Sequence, residues 1–416
     1  MQSDKKELFQ TLNRRGFIKQ YTDEQIEKIL SDKKVIAYTG YDPTSDGLHI
    51  GHLLTVIGLT WFQKFGHKPI AVVGGATALV GDPSGKTEMR KMLTIDQVNE
   101  NAEGIKKELS RFVKFGSGSD EAIMVNNADW LYDKRYIDFL RDIGKHFSVN
   151  RMLTMESVKL RLEKGLSFIE FNYMILQAYD FMHLNKHFDC NFQLGGDDQW
   201  GNIVMGIDLT RRINQKEVYG ITYPLISTSS GQKMGKTEAG ALWLNSEKTS
   251  VYDFYQYWIN VDDKDVKRFL YLYTFLPEHE VEKLGNLKDA EIRDAKKVLA
   301  YEVTKLVHGE SEADNAIKAT EATFGKNISG DIDESITTNL DMNRLNEGLN
   351  IITILSETNL VSSNSEARRM ISQGGVYVNE DRVSDAEYKI TKDNIVDNNL
   401  IRLRVGKKKY HILRIN

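Results

Sequence analysis

The stretch 34–65 constrains this chain more than any other. A short apolar run, 34–41 (KVIAYTGY), stops at Asp42-Pro43, a pair that ends regular structure. From His49 onward Leu53, Leu54, Ile57, Trp61 and Phe65 recur at helical spacing. A buried strand that turns into a helix is the unit from which open α/β sheets are built. Further strand candidates are 69–75 (PIAVVGG), 123–126 and 191–194, and 168–188 reads as a long amphipathic helix. Strands alternating with helices predict a mostly parallel sheet covered on both faces.

A chain of 416 residues exceeds one ordinary core, so two or three domains are expected. After Tyr223-Pro224 comes a polar, glycine-punctuated stretch over 227–240. From Thr249 to about Phe324 the pattern is helical, with Tyr252, Phe254, Tyr255, Tyr257 and Trp258 crowded together. Residues 325–343 are short of large apolar side chains and read as a linker. The remainder, 344–416, reads as a helix followed by short strands, with a hairpin turn over 406–409. The expected divisions are therefore 1–226, 227–248, 249–324, 325–343 and 344–416.

No run approaches 18 apolar residues, which excludes a membrane-spanning helix. The N-terminal residues lack the apolar core and cleavage site of a secretory signal. One cysteine, Cys190, excludes an intrachain disulfide framework and any multi-cysteine zinc site, and the reducing cytoplasm is the expected location. Net charge is −4, yet residues 361–416 carry 11 Lys/Arg against 7 Asp/Glu. A basic module on an acidic body can bind RNA, because the local field outweighs the total.

Two segments carry chemistry. The first, 42–52 (DPTSDGLHIGH), sits where strand meets helix, the place where open α/β sheets bind nucleotides. His49 and His52 share one helical face near its N-terminus, where backbone N–H groups favour phosphate. Gly51 beside them leaves room for a ligand ring to approach the backbone. Two surface histidines would read the same way, and a metal pair is disfavoured because no third ligand lies at a usual spacing. The second segment, 231–237 (GQKMGKT), places Lys233 and Lys236 on a glycine-bracketed loop able to swing over a polyphosphate; alone, it reads equally as a solvated basic turn. A third, 81–87 (GDPSGKT), mimics a phosphate-binding P-loop but has three residues between its glycines where that motif needs four. Its Lys86, with Arg90, is read instead as a mobile-loop cation near pyrophosphate.

Taken together, His49-Ile-Gly-His52 and Lys233-Met-Gly-Lys236-Thr237 resemble the paired signatures of class I aminoacyl-tRNA synthetases. Four further segments narrow the resemblance to the bacterial-type tyrosyl-tRNA synthetases: 38–44 (YTGYDPT), 75–86 (GATALVGDPSGK), 173–180 (YMILQAYD) and 195–202 (GGDDQWGN). The likeness covers nearly the whole chain. It departs from the ideal lysine signature at Gly235 and Thr237, and at Thr39, where some members have cysteine. Residues 362–379 resemble the S4 RNA-binding domain, with Arg368 and Arg369 facing RNA; a small basic cap would look similar.

The resemblance implies a Rossmann-like parallel-sheet catalytic domain (1–226) with a dimerisation insert around 129–161, the lysine loop and connector (227–248), an α-helical anticodon-binding domain (249–324) and a small α+β S4-like domain. It implies activation of L-tyrosine with ATP, loss of pyrophosphate, and transfer to the 3′ end of tRNA(Tyr), in a homodimer without membrane contact. Thr44, His49, His52, Lys86, Arg90, Lys233, Lys236 and Thr237 would act on the reacting phosphates. Gly40, Asp42, Gly51, Gly196 and Asp198 would complete the ATP site, with His52 and Gly51 on the ribose side. Tyr38 and Asp180 would bind the phenol hydroxyl, Tyr173, Gln177 and Asp82 the α-amino group, and Gln193 and Gln199 would line the pocket. On spacing alone Tyr173, Gln177 and Asp180 describe one face of any helix. No covalent nucleophile and no dedicated metal site is expected, and Mg²⁺ would travel with ATP. A tryptophanyl enzyme shares both signatures but generally lacks an S4 tail. A noncatalytic RNA-binding relative would not need His49, His52, Lys233 and Lys236 intact.

Overall fold

In the computed structural model the first apolar run becomes β2 (Ile36–Tyr41), preceded by the two-residue β1 (Gln20–Tyr21). β3 (Lys68–Val73), β4 (Ile123–Asn126), β5 (Phe192–Gly196) and β6 (Tyr219–Tyr223) complete a six-stranded sheet. The described residues are 7–84, 93–231, 234–237, 240–324, 337–346, 348–379, 381–396, 399–406 and 409–415. The strand order is β1-β6-β5-β2-β3-β4. All neighbours run parallel except β1, an antiparallel edge on β6. Five of the six residues of β3 are buried, which is why its sequence is a continuous apolar run rather than an alternating one.

From β2 the chain proceeds outward to β4, then returns to the other side of β2 as β5. Such a reversal opens a crevice at the carboxyl ends of the two central strands. Gly40 and Asp42 stand at one lip, and Gly195 and Gly196 at the other. The connecting helices begin where their sequences provide caps. His49 and His52 form a capping box for Ile50–Lys64, Thr94 and Gln97 for Ile95–Leu109, and Ser167 and Glu170 for Phe168–Phe188. A fourth helix, Trp200–Asn214, links β5 to β6.

Described residues divide into two compact units: one holds residues up to Thr249 with Tyr257–His308, the other Ser250–Gln256 with those after His308. The expected helical domain, 249–324, is thus shared between them. Helices Asp263–Tyr273, Glu278–Gly285 and Ile292–His308 go with the α/β sheet. Arg15 donates to the carbonyls of Tyr271 (3.0 Å) and Thr274 (2.9 Å), and the Trp61 ring lies 4.7 Å from that of Phe275. Helical periodicity marks an apolar face but not the body that covers it.

Beyond the sheet in this unit, β7 (Lys236–Thr237) and β8 (Gly240–Ala241) form a short antiparallel ribbon. In the insert, Arg161 and Glu170 make a buried ion pair at 3.0 Å. Burial alone would raise the Glu170 pKa, but Arg161 and the Ser167 hydroxyl and N–H bring it below the usual value.

In the second unit, β9 (Thr337–Leu340), β10 (Leu349–Asn350), β11 (Val376–Val378), β12 (Asp381–Val383), β13 (Lys389–Ile390), β14 (Leu400–Val405) and β15 (Lys409–Ile415) are all short. Five form a sheet in the order β12-β11-β14-β15-β9, and β10 pairs with β13. Strands β14 and β15 pair antiparallel with Val405 opposite Lys409, flanking the expected turn. The end of the expected linker differs: residues 337–340 are a strand, parallel to β15. Its Thr-Thr-Asn-Leu sequence is too polar to register as a strand alone, yet Leu340 is buried in that unit's core.

Candidate active site

One end of the crevice begins at Gly40, which is exposed with open space where a Cβ would stand. Asp42 follows, and its carbonyl accepts from the Thr44 N–H at 2.7 Å. His49 caps the Ile50–Lys64 helix: its Nδ1 accepts from the Gly51 N–H (3.0 Å), while Nδ1 of His52 accepts from the His49 N–H (3.3 Å). The rings stack with centroids 3.9 Å apart. With both Nδ1 atoms accepting, the neutral rings carry their protons on Nε2, at a helix N-terminus. A Cβ on Gly51 would sit 2.8 Å from the His49 ring, so only glycine lets that imidazole fold back.

The lysine loop lies against this same helix start. The Ile50 N–H donates to Leu242 O and the Leu242 N–H to Gly235 O, both at 2.9 Å. His49 forms a bridge with Trp243, and the Leu244 N–H donates to Leu48 O at 2.9 Å. Two signatures far apart in sequence thus share one backbone ladder. Gly235 has φ +81°, and a Cβ there would meet Ile50 Cγ2 at 2.0 Å. Met234 is buried, with its sulfur accepting from the Tyr273 hydroxyl at 3.1 Å, and the Tyr257 hydroxyl accepts from the Gly235 N–H at 3.3 Å. Lys86, Arg90 and Lys233 lie outside the described residues; Lys236 and Thr237 are placed by their backbone in β7.

The other end is a cluster of buried polar side chains. Tyr38 on β2 stands in register with Gln193 on β5. Both are buried, and the Tyr38 hydroxyl and Gln193 Oε1 have no hydrogen-bond partner among the described residues. Asp180 is 4% exposed and accepts at both oxygens, from Trp130 Nε1 (2.8 Å) and Asn127 Nδ2 (3.0 Å). Burial pushes its carboxyl up to about 7, opposed by those two donors and aided by the Asp42 charge. Burial likewise raises the Tyr38 phenol, with Asp180 adding to the effect.

Between the two ends runs a hydrogen-bonded chain. Asn127 Nδ2 also donates to Thr77 Oγ1 (2.9 Å), Thr77 Oγ1 donates to Asp42 Oδ1 (2.8 Å), and the Tyr173 hydroxyl donates to Asp42 Oδ2 (2.7 Å). Alongside it, Gln199 Nε2 donates to Asp82 Oδ2 (2.7 Å), and Gln199 Oε1 accepts from Gln177 (3.1 Å) and Asn202 (3.0 Å). Asn202 donates also to Gln177 Oε1 at 3.1 Å, and the Ser84 N–H to Asp82 Oδ1 at 2.9 Å. Gln177, Gln199 and Asp82 therefore form one net. Tyr173, grouped with Gln177 and Asp82 from the sequence, bonds instead to Asp42, which was grouped with ATP. Gly196 ends β5, and Asp198 follows in a half-buried turn.

Sequence reasoning missed Thr77, Ser84, Asn127, Trp130 and Asn202. For Asn127 and Trp130 one signal existed: a polar Asn-Asn-Ala-Asp-Trp run directly after a strand at the sheet's carboxyl edge.

Residues 30–325 match the family of tRNA synthetases class I (W and Y), and residues 331–413 match the tyrosine–tRNA ligase SYY-like C-terminal domain. A tyrosine–tRNA ligase of Acetivibrio thermocellus is 54% identical over 409 residues, covering 98% of this chain and 99% of that protein. One from Clostridium botulinum (strain Loch Maree / Type A3) is 51% identical, covering 97% of this chain and 98% of that protein. Among solved structures, the C-terminally truncated Aspergillus nidulans mitochondrial tyrosyl-tRNA synthetase superposes with TM-score 0.69 at 30% identity, over 76% of this chain and 94% of that one. A tryptophanyl-tRNA synthetase from Encephalitozoon cuniculi, at 13% identity and TM-score 0.55 over 74% of this chain and 86% of that one, shares the fold. The tryptophan- and tyrosine-specific branches are thus one architecture, and the near full-length identity together with the matched C-terminal domain decides between them: this chain belongs to the tyrosine–tRNA ligase family of class I synthetases.

Proposed function

We propose that the chain activates L-tyrosine with ATP, forming tyrosyl-adenylate and pyrophosphate, and then transfers the tyrosyl group to the 3′ end of tRNA(Tyr). One observation carries the reading: a buried hydroxyl and a buried acceptor-only carboxylate, Tyr38 and Asp180, share a polar pocket joined by hydrogen bonds to the crevice that His49 and His52 overlook. A phenol hydroxyl can donate to Asp180 and accept from Tyr38, whereas a phenyl ring would strand both groups and an indole, a donor only, could satisfy Asp180 but not accept from Tyr38. Asp82, with Gln177 and Gln199, offers a carboxylate to the α-ammonium, and Tyr173 holds Asp42 in place beside it. Gln193 lines the floor.

Activation moves charge from the α-phosphate toward the leaving β- and γ-phosphates, so the task is positioning and cation placement. Nε2–H donors of His49 and His52, the Thr44 hydroxyl and the loop cations Lys86, Arg90, Lys233 and Lys236, with Thr237, supply it. Gly40, Gly51, Gly196 and Asp198 shape the adenosine side. Mg²⁺ arrives with ATP as part of that substrate. Arg368 and Arg369, exposed on the Asn364–Ser372 helix, face tRNA. The insert exposes Tyr136 at 61%, Ile137 at 70% and Val149 at 57%, with Phe168 just after it at 70%, apolar surface suited to a second copy. Among the described residues no helix is long and apolar enough to cross a membrane, and buried Cys190 fits a reducing cytoplasm.

Tyrosine-dependent ATP–pyrophosphate exchange is the direct test. Tyrosine should drive exchange, with tryptophan and phenylalanine giving little signal. Exchange that follows tryptophan would overturn the assignment of the pocket. In the same assay Lys236→Ala should slow adenylate formation by roughly 10²-fold, the scale of losing a transition-state charge contact. Tyrosine affinity, read by equilibrium dialysis, should hold; a mutant with normal kcat and lost tyrosine binding would mean the loop is misassigned.

A further inference from the structure

The segment between β2 and the His49 helix has little regular structure of its own: the Thr44 N–H bonds to Asp42 O and the Ser45 hydroxyl to Gly47 O. It is held from outside by one face of the Ile95–Leu109 helix. Asn101 Nδ2 donates to Pro43 O at 2.9 Å, Gly104 lies so close to Asp46 that a Cβ would come within 2.2 Å of its carbonyl oxygen, and Glu108 Oε2 accepts from the Leu48 N–H at 2.6 Å. Steps of three and four residues put these positions on a single stripe.

Glu108 is the unusual member. It is 4% exposed, and its Oε1 has no hydrogen-bond partner among the described residues. Burial raises its pKa; the Leu48 N–H, Arg111 and Lys248 act in the other direction. Gly47 makes room for it, since a Cβ there would lie 2.8 Å from Glu108 Oε1. Burying a carboxylate is costly, and an N–H can be satisfied by cheaper means. What the charge gains is a short, strong bond at one particular residue. Leu48 immediately precedes the N-cap His49, and its carbonyl is held from the opposite side by the Leu244 N–H. With both backbone groups of Leu48 fixed, the His49 and His52 rings have a set origin.

Resting on the tyrosine-activation reading above, we infer that Glu108 is a positioning residue for adenylate formation: its carboxylate fixes Leu48 and thereby aims the donors of His49 and His52 at ATP. It touches no substrate and acts through His49.

The test uses the full chain, with exchange rates normalised by active-site titration. Glu108→Gln keeps a carbonyl acceptor at the same reach and should stay within about threefold of wild type. Glu108→Asp keeps the charge but withdraws it by a methylene, and should lower kcat/KM for ATP about tenfold or more, the kind of loss small misplacements cause. Tyrosine affinity should be unchanged in both. In a His49→Ala background the Glu108→Asp cost should fall to about twofold or less, since residues acting through one another are not additive. A wild-type rate for Glu108→Asp, a Gln variant as slow as the Asp one, or an undiminished cost without His49 would each overturn the inference. An amino acid other than tyrosine driving wild-type exchange would instead overturn the function reading, and the Glu108 comparison could then be run with that amino acid.

Discussion

A chain ending at Phe324 should activate tyrosine at close to the rate of the intact protein and transfer it to tRNA poorly. Every residue placed against tyrosine or ATP precedes Gly240. The sheet of β9, β11, β12, β14 and β15 is removed whole by such a cut. What stays of the second unit keeps internal partners: Gln256 Nε2 donates to Thr320 Oγ1 at 2.8 Å, and Tyr252 clusters with Ala319. Ending near Asn343 is worse, because it strands β9 without β15 and leaves an unpaired edge. Charging needs a large polyanion held on the protein. Each phosphate contact releases counterions and steepens the salt dependence of binding. Truncation should therefore flatten the plot of log affinity against log salt, and Arg368→Ala with Arg369→Ala should reduce its slope by about 1–2. Exchange, aminoacylation and tRNA binding at two salt concentrations give the comparison. Equal aminoacylation and equal slopes for the two lengths would make the tail a structural cap.

Replacing Asp180 by Asn should change stability with pH as well as function. An aspartate near its ordinary pKa of 3.8 in the unfolded chain rises to about 7 in the fold. Between those values the folded protein holds a proton that the unfolded chain has lost, so this group's contribution to stability falls as pH rises through the window and levels off above it. The difference amounts to on the order of 4 kcal/mol across the window. Asn cannot titrate. It also cannot accept from both Trp130 and Asn127, because its amide nitrogen must face one of them. The variant should therefore carry a constant penalty from that lost bond, while its stability relative to wild type improves between pH 5 and pH 8. Denaturant unfolding at the two values measures this. Tyrosine-driven exchange should collapse, the phenol having lost its anionic acceptor. Parallel pH profiles for the two proteins would mean that Asp180 titrates normally in the fold.

Most of the catalytic sheet was legible: 34–41 and 69–75 are apolar runs, as the buried centre of a parallel sheet requires, and 123–126 and 191–194 stand out as shorter candidates. The Tyr-Gly-Ile-Thr-Tyr run of β6 was not legible as a strand. Nor were β1 and β9, being two and four residues long and largely polar, held by partners distant in sequence. The same division applies to the site. His49 and His52 could be seen as one helix end, and Tyr38 with Asp180 through the family resemblance. The Asn127 bond to Asp180 spans 53 residues and the Gln199 bond to Asp82 spans 117. No local pattern encodes such pairings; they exist only once the sheet has brought its loops to one edge. Glu108 was hidden for another reason: on an amphipathic helix with charges throughout, a single inward glutamate looks like any solvated one.

The approach of Gly235 to Ile50 bears on how this sequence can drift. Serine is the residue of the ideal lysine signature at that point. On this backbone serine would need both a left-handed conformation, at φ +81°, and space already filled by Ile50 Cγ2. The two positions, 185 residues apart in sequence, are therefore coupled: a side chain at 235 needs space now filled by residue 50. A lineage could acquire serine only by first trimming residue 50 or rerouting the loop. Each of those steps disturbs the His49 helix before any benefit arrives, so the glycine is a requirement of this backbone rather than a neutral variant.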